Sequence, residues 1–423
     1  MISTDGEREQ QGKSPHRPAV SLGANFASTL ASNVVFAASQ WAILILISKL
    51  GSSEMLGTYA YSLAAVTPVA MFSHLNLRSI LATDVTRRHP FGDYLAVRLA
   101  TTAAGLAAIG VLALALGGGW ERAAITLALG AALSADNVSD VYFGLLQRRE
   151  RMDLVAYSVA ARGLLSVLGL GATLWITGSL WRAVVAMALV RIVVLLAYDV
   201  PVGSAGESLT RTTVRAQAGI LWTAAPLGAV LMLISLTANL PRYAIEQKFG
   251  ASALGEFAAV ASLMTVGATA VNALGQAATP RLARYRSAGE RGGFQRLAWQ
   301  LVGMALLLGA AGIVGSVLLG PWLLGWIYRP AFAKDAGLLV WIMAAGTASY
   351  AASALGYVVT STRAFAPQAP LHVLAAATAG LASWVLVPRL GLPGGALALA
   401  CASLVQIAGG VLILRRALRG VAA

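Results

Sequence analysis

Cysteine, histidine and charge are all scarce in this chain of 423 residues. The lone cysteine, Cys401, excludes an internal disulfide and a cysteine-based metal centre. The four histidines (His16, His74, His89 and His372) show no ligand spacing, so no metal is expected. Charged residues make up 11% of the chain against 58% hydrophobic, where a water-soluble domain carries about 25% charged. There is no glycine-rich phosphate loop, no Ser-His-Asp arrangement and no metalloprotease helix motif. Nucleotide hydrolysis and enzymatic chemistry are therefore not expected, and no cofactor is implied. The Asn137-Val138-Ser139 triplet matches a glycosylation site but falls inside an apolar run, where it carries no meaning.

Long apolar runs are what the chain has in abundance. About 20 such residues suffice to cross a bilayer. Twelve candidate spans are legible: 24–49, 55–83, 91–117, 120–147, 152–176, 180–200, 218–247, 252–284, 294–318, 335–361, 365–387 and 392–416. An all-α, polytopic membrane protein follows. Segment 1–20 is polar, lacks the apolar core of a signal peptide and reads as a cytoplasmic tail, as does 418–423. With both termini cytoplasmic, the basic residues collect inside: Arg78 to Arg88, Arg148 to Arg151, Arg211 to Arg215, Arg281 to Arg296 and Arg415 to Arg419. The outer loops keep only Lys49, Arg122, Arg182, Lys248, Arg329, Lys334 and Arg389. The net charge of +14 is thus a topology signal spread over many loops, and no nucleic-acid partner is implied. Trp120, Trp175, Trp181, Trp322, Trp326 and Trp384 fall at the outer ends, as an aromatic belt would.

The two halves repeat each other. Lys49-Leu50-Gly51 followed by Gly57-Thr58-Tyr59-Ala60 returns as Lys248-Phe249-Gly250 followed by Gly255-Glu256-Phe257-Ala258. The stretch from Phe91 is echoed from Phe294. This divides the chain into a first lobe, 21–200, a cytoplasmic linker, 201–217, and a second lobe, 218–417. Six spans per half with the same starting side make the copies parallel, around a pseudo-twofold axis along the membrane normal. Two similar lobes that rock about a central cavity are a transporter plan, driven by an ion gradient or by the substrate's own gradient.

Ionisable groups inside a membrane are costly and mark function or pairing. At about 1.5 Å per residue, Arg98 on the third span lies roughly 9–10 Å from its cytoplasmic end, and Asp140 on the fourth reaches a similar depth. Asp136, one turn further in, is level with Arg162 and Arg191, and His74 and Arg78 lie just below on the second span. Two readings stay open. Asp140 with Arg98, and Asp136 with Arg162 or Arg191, form structural ion pairs. Alternatively, because cations outnumber acids in the layer, some arginines line a cavity for an anionic substrate, whose phosphate oxygens suit a guanidinium. Asp136, Asp140 and Asn137 offer a third role, in H⁺ or Na⁺ coupling. Asn33, Gln40, Asn239, Asn272 and Gln276 face a wet cavity or bond between helices. Pro68, Pro226, Pro241 and Pro280 each remove a backbone hydrogen bond and mark hinges.

The segments SKLGSSEMLGTYAYSLAAVTP (48–68), LNLRSILATDVTRRHPFGDYLAVR (75–98), LISLTANLPRYAIEQKFGASALGEFAAVASL (233–263), NALGQAATPRLARYRSAG (272–289) and VPRLGLPGGALALACASLVQ (387–406) carry a resemblance. In order and spacing, the chain resembles the polysaccharide flippases of the multidrug/oligosaccharidyl-lipid/polysaccharide exporter superfamily. That resemblance implies the fold of the multidrug exporters: two six-helix lobes around a central cavity. It implies transport of an undecaprenyl-diphosphate-linked sugar unit across the bacterial inner membrane by alternating access. It further implies a cationic cavity, a role that falls by position to Arg98, Arg162, Arg191 and Arg78. Arg242 matches a family pattern in Asn239-Leu240-Pro241-Arg242-Tyr243, with a gate or lobe contact as the other role. The expected partners are membrane lipids, the lipid-linked oligosaccharide, and polysaccharide polymerase and assembly proteins, with the chain itself a monomer. An ion-coupled multidrug or lipid exporter is the nearest alternative. A membrane-embedded glycan polymerase or ligase is a more distant one, since no outer loop is large enough for its chemistry.

Overall fold

The computed structural model describes residues 22–84, 88–205, 207, 213–364 and 366–419, the side chains of 22–30 excepted. The tail 1–20, Arg87, Arg211 and the last residues of 418–423 lie outside the described residues. No strand occurs among the described residues. The helices are α1 (Leu22–Leu50), α2 (Ser53–His74), α3 (Leu77–Thr83), α4 (Phe91–Ala115), α5 (Gly119–Arg148), α6 (Met152–Thr177) and α7 (Leu180–Val194). A π-helical turn, Leu195–Asp199, then leads into α8 (Val200–Ser204). After it come α9 (Val214–Ser287), α10 (Arg291–Ile327), a 3₁₀ turn (Pro330–Asp335), α11 (Ala336–Ser361), α12 (Gln368–Leu390) and α13 (Leu392–Arg419).

Ten of these segments are long and apolar enough to cross a membrane. Two facts raise the number of passes to twelve. At 30 residues α5 is long enough, but Asp136, Asp140 and its terminal charges dilute its apolar content. And α9, at 74 residues, is counted once although it is about 110 Å long, several times the bilayer core of about 30 Å. Where the apolar runs predict two spans and a loop, α9 continues through a single non-helical residue, Gly250, at φ 80° and ψ −179°. That left-handed backbone is open to glycine and strained for other residues. The bend inside α9 therefore falls at Gly250, while Pro226, Pro241 and Pro280 sit within helical backbone. In the segment 319–334, α10 runs on to Ile327 and the 3₁₀ turn buries Phe332.

Local chemistry explains the other boundaries. Ser52 caps α2 by accepting from the Met55 N–H (3.1 Å), and Thr213 caps α9 at Ala216. The turn from α6 to α7 is made by Gly178 at φ 62°. Beyond His74 the chain passes through Leu75 and Asn76, both near φ 50°, which ends α2 and starts α3.

One apolar core joins the two halves at the end where α1 meets α2. There Ile43, Leu56 and Tyr59 pack with Leu254, Phe257, Tyr328 and Leu339. Toward the other end the cores separate. Leu75, Phe91, Tyr94 and Tyr142 form one, and Val271, Leu282, Phe294 and Tyr350 form another. The first stretch of α9 belongs to the former, through Ile220 and Ala224.

Candidate functional site: a charged layer and a helix crossing

The charged layer is built on α5. Asp136 and Asp140 stand one turn apart, on neighbouring positions of one helix face. Asp136 receives Arg162 of α6 (Nη1 to Oδ1, 2.8 Å) and Arg191 of α7 (Nη1 to Oδ2, 2.6 Å). Both arginines are 4% exposed. One carboxylate thus lies between two guanidiniums, leaving one positive charge uncompensated within the trio. The Nε atoms of Arg162 and Arg191 are buried without a hydrogen-bond partner. The Arg162 guanidinium also lies 5.2 Å from the centre of the Phe143 ring, and Arg78 lies 5.8 Å from it, so that ring links two charged clusters.

The second cluster surrounds Asp140. Its Oδ2 lies 3.0 Å from His74 Nε2, and its Oδ1 lies 3.5 Å from Arg78 Nη1. The Asn76 N–H donates to His74 Nδ1 (3.3 Å), which puts the proton of a neutral ring on Nε2, facing Asp140. Arg78 Nε donates to Gln147 (2.9 Å).

Arg98 departs from its expected place. It is wholly buried, and its Nη1 and Nη2 donate to the carbonyls of Ser73 and His74, both at 2.8 Å. Those carbonyls belong to the last turn of α2, which has no helical donors of its own because the chain turns away at Leu75. Arg98 is thereby a cap for α2, not the ion-pair partner of Asp140. Asn137 acts similarly, donating to the Ala70 carbonyl at 3.0 Å.

Two buried acids were absent from the sequence reading: Asp93, which accepts from the Thr213 N–H at 3.1 Å, and Asp199. Asp199 closes the π turn after α7, is buried, and accepts from Ser139 Oγ at 2.6 Å. It ends an apolar run, where an acid reads as an interfacial residue; the π turn is what carries it inward.

The halves meet at a crossing of α2 over α9. A Cβ placed on Gly57 would collide with the Ala251 carbonyl, and one on Gly255 would collide with the Ser53 carbonyl. Each glycine of the repeated motif is thus fitted against the backbone of the opposite copy. Nearby, Arg122 Nη2 pairs with Glu246 Oε1 at 2.8 Å across the halves, and Arg122 also lies 5.3 Å from the Tyr61 ring centre. Sequence reasoning placed Arg122 only in an outer loop. Lys49 Nζ donates to the Trp326 carbonyl (3.2 Å), while Arg329 Nη2 donates to the carbonyls of Lys49 (2.7 Å) and Gly51 (2.6 Å).

Pro68 has no N–H to offer the Ala64 carbonyl one turn back. Tyr243 of α9 fills that vacancy, its hydroxyl donating to Ala64 O at 2.6 Å. Beside it, Arg242 Nη1 donates to Asn239 Oδ1 (3.0 Å), and Asn239 is buried and donates to the Ser235 carbonyl (2.9 Å). Asn33, Asn272 and Gln276 are exposed and Gln40 half-buried. Asn272 Oδ1 accepts from Ser353 (3.3 Å) and Tyr357 (3.5 Å) of α11.

No protein-family model matches the chain. A curated relative, the capsular polysaccharide biosynthesis protein CapF of Staphylococcus aureus, is 21% identical over 386 residues, covering 90% of this chain and 96% of the relative. Among solved structures, an inward-facing multidrug resistance MATE family transporter of the MOP superfamily superposes with a TM-score of 0.73 at 12% identity, covering 92% of this chain and 94% of that one. The lipid II flippase MurJ, in an inward closed conformation, gives 0.74 at 9% identity over 92% of this chain and 87% of its own. An outward-facing MATE family transporter gives 0.56 at 15% identity, over 93% of this chain and 96% of that one. The chain is a multi-pass membrane protein with the fold of these transporters, and over most of its length it is similar to a capsular polysaccharide biosynthesis protein.

Proposed function

We propose that the chain is a flippase that moves an undecaprenyl-diphosphate-linked oligosaccharide across the bacterial inner membrane for surface polysaccharide synthesis. In this reading both termini are cytoplasmic, residues 21–200 and 218–417 are the rocking lobes, and 201–217 joins them. The observation that carries it is the Arg162–Asp136–Arg191 trio, in which two nearly buried arginines share one carboxylate. Two guanidiniums on one carboxylate, each with an unpartnered Nε, suit a substrate whose head is a diphosphate. Of the five arginines weighed as substrate contacts, Arg162 and Arg191 keep that role. Arg98 is committed to α2, Arg78 to Asp140 and Gln147, and Arg242 to Asn239.

Alternating access needs one end shut while the other opens. The Gly57/Gly255 crossing, the Arg122–Glu246 pair and the Arg329 clamp supply the shut end, and the separated cores supply the open one. Better superposition on the inward-facing than on the outward-facing exporter supports that assignment. The likeness to a capsular polysaccharide protein favours a lipid-linked sugar over a drug as cargo.

The test is complementation. Expression in a bacterium lacking its own polysaccharide-unit flippase should restore surface polymer and clear the lipid-linked units trapped inside. A well-inserted protein that leaves them trapped in several hosts with different repeat units, yet extrudes cationic drugs, would replace this reading with the exporter one.

A further inference from the structure

Between the second pass of α9 and the start of α10 runs an open groove of about 700 Å³. Leu274, Ala278, Leu301 and Leu307 line its length, and Arg281 and Gln300 stand at one end. The groove lies away from the face of α9 that carries Asn272 and Gln276. At 3.6 residues per turn, Leu274 and Arg281 are about half a turn round from Asn272. It therefore opens toward the bilayer rather than toward α11, whose Ser353 and Tyr357 contact Asn272.

The charge at its end is one-sided. Arg281 makes no hydrogen bond or ion pair among the described residues, and no acid lines the groove. Arg284 and Arg296, each within a turn of the polar end on its own helix, are exposed and equally unpaired among the described residues. Trp299, strongly exposed beside Gln300, sits where an indole marks the headgroup level.

We propose that this groove is a binding site for an anionic glycerophospholipid, with the phosphate at Arg281 and Gln300 and an acyl chain laid along Leu274, Leu301 and Leu307. Apolar walls with a purely cationic end complement a phosphate-headed lipid, whereas a zwitterionic lipid brings its own ammonium group to a site that has no acid to receive it. Because the groove turns away from the side of α9 that carries Asn272 and Gln276, and lies in the other half from Arg162 and Arg191, this lipid site is separate from the proposed cargo contacts.

The experiment is native mass spectrometry of the purified full chain in detergent, with phosphatidylglycerol and phosphatidylcholine of identical acyl chains added separately. Phosphatidylglycerol should be retained about fivefold better, and Arg281→Gln should bring it down to the phosphatidylcholine level. A side chain at Gly303 would enter open space, as would one at Gly315 three turns further along α10. Gly303→Leu therefore fills the groove and should reduce retention of both lipids, while Gly315→Leu should leave both unchanged. Equal retention of the two lipids by the parent chain, or undiminished phosphatidylglycerol retention in Arg281→Gln, would overturn the proposal. So would strong preference for undecaprenyl phosphate over phosphatidylglycerol.

Discussion

Replacing Gly57 by alanine tests the α2–α9 crossing most directly. The added methyl falls on the Ala251 carbonyl, which is backbone and cannot rotate away. For carbon and oxygen to regain van der Waals separation the two helices must part by roughly 1–2 Å. Overpacking of this kind costs about 1–3 kcal/mol. Here the cost falls on the crossed arrangement alone, because a state with the helices apart has no carbonyl in the way. At 1.4 kcal/mol per factor of ten, the crossed population should fall by roughly 5- to 150-fold relative to the open one. Cys401 is the only cysteine, so Cys401→Ser provides a clean background. Ala258, one turn beyond Gly255 and 3% exposed, becomes the reporter as Ala258→Cys. A membrane-impermeant maleimide should label that cysteine slowly in the background protein and much faster once Gly57→Ala is added. Unchanged labelling rates, with unchanged gel-filtration behaviour, would refute the claim that this contact holds the halves together.

Three further outcomes separate the roles assigned above. Arg162→Ala or Arg191→Ala should abolish transport in the complementation assay while leaving membrane insertion intact, whereas Arg98→Met should first lower the thermal unfolding temperature, since it orphans the His74 carbonyl at about 1–3 kcal/mol and leaves the Ser73 carbonyl only the Thr101 hydroxyl. Normal transport by both single variants at 162 and 191 would remove the arginines from substrate binding. Tyr243→Phe should destabilise by about 1–3 kcal/mol through the unpaired Ala64 carbonyl. Adding Pro68→Ala, which returns an N–H to that carbonyl, should recover most of the loss in a double-mutant cycle on thermal stability. Arg122→Glu should disable transport by placing two acids together, and the swap Arg122→Glu with Glu246→Arg should restore a measurable part of it.

Much of this was legible before any coordinates. Apolar runs gave the passes because hydrocarbon demands about 20 residues each. Counting rises along spans placed Asp136 level with Arg162 and Arg191, and they do meet. What escaped depends on where helices end or shift phase. Arg98 finds its acceptors only because α2 stops at His74 and the next two residues take left-handed backbone, which no hydropathy pattern reports. Asp199 is drawn inward by a π turn, a departure from the 3.6-residue period on which depth counting relies. Arg122 and Glu246 are 124 positions apart, on different halves, so their pairing exists only once the halves are assembled. The Gly250 bend was hidden for the opposite reason: its motif looked like a loop between spans, and the chain stays helical on both sides of it.

The reciprocal fit of Gly57 on Ala251 and Gly255 on Ser53 has the form of an isologous dimer contact, in which residue i meets j and j meets i. In a homodimer any substitution at such a position is made twice, so the seam is either kept or doubly broken. Carried on one chain, the two contacts can be changed one at a time. Gly57→Ala and Gly255→Ala can each relax half of the seam, and the pair of variants spans a graded series from fully latched, through two single-sided states, to fully released. On the proposed reading, in which the two ends take turns in closing, the strength of such a latch can be set in steps smaller than symmetry would allow.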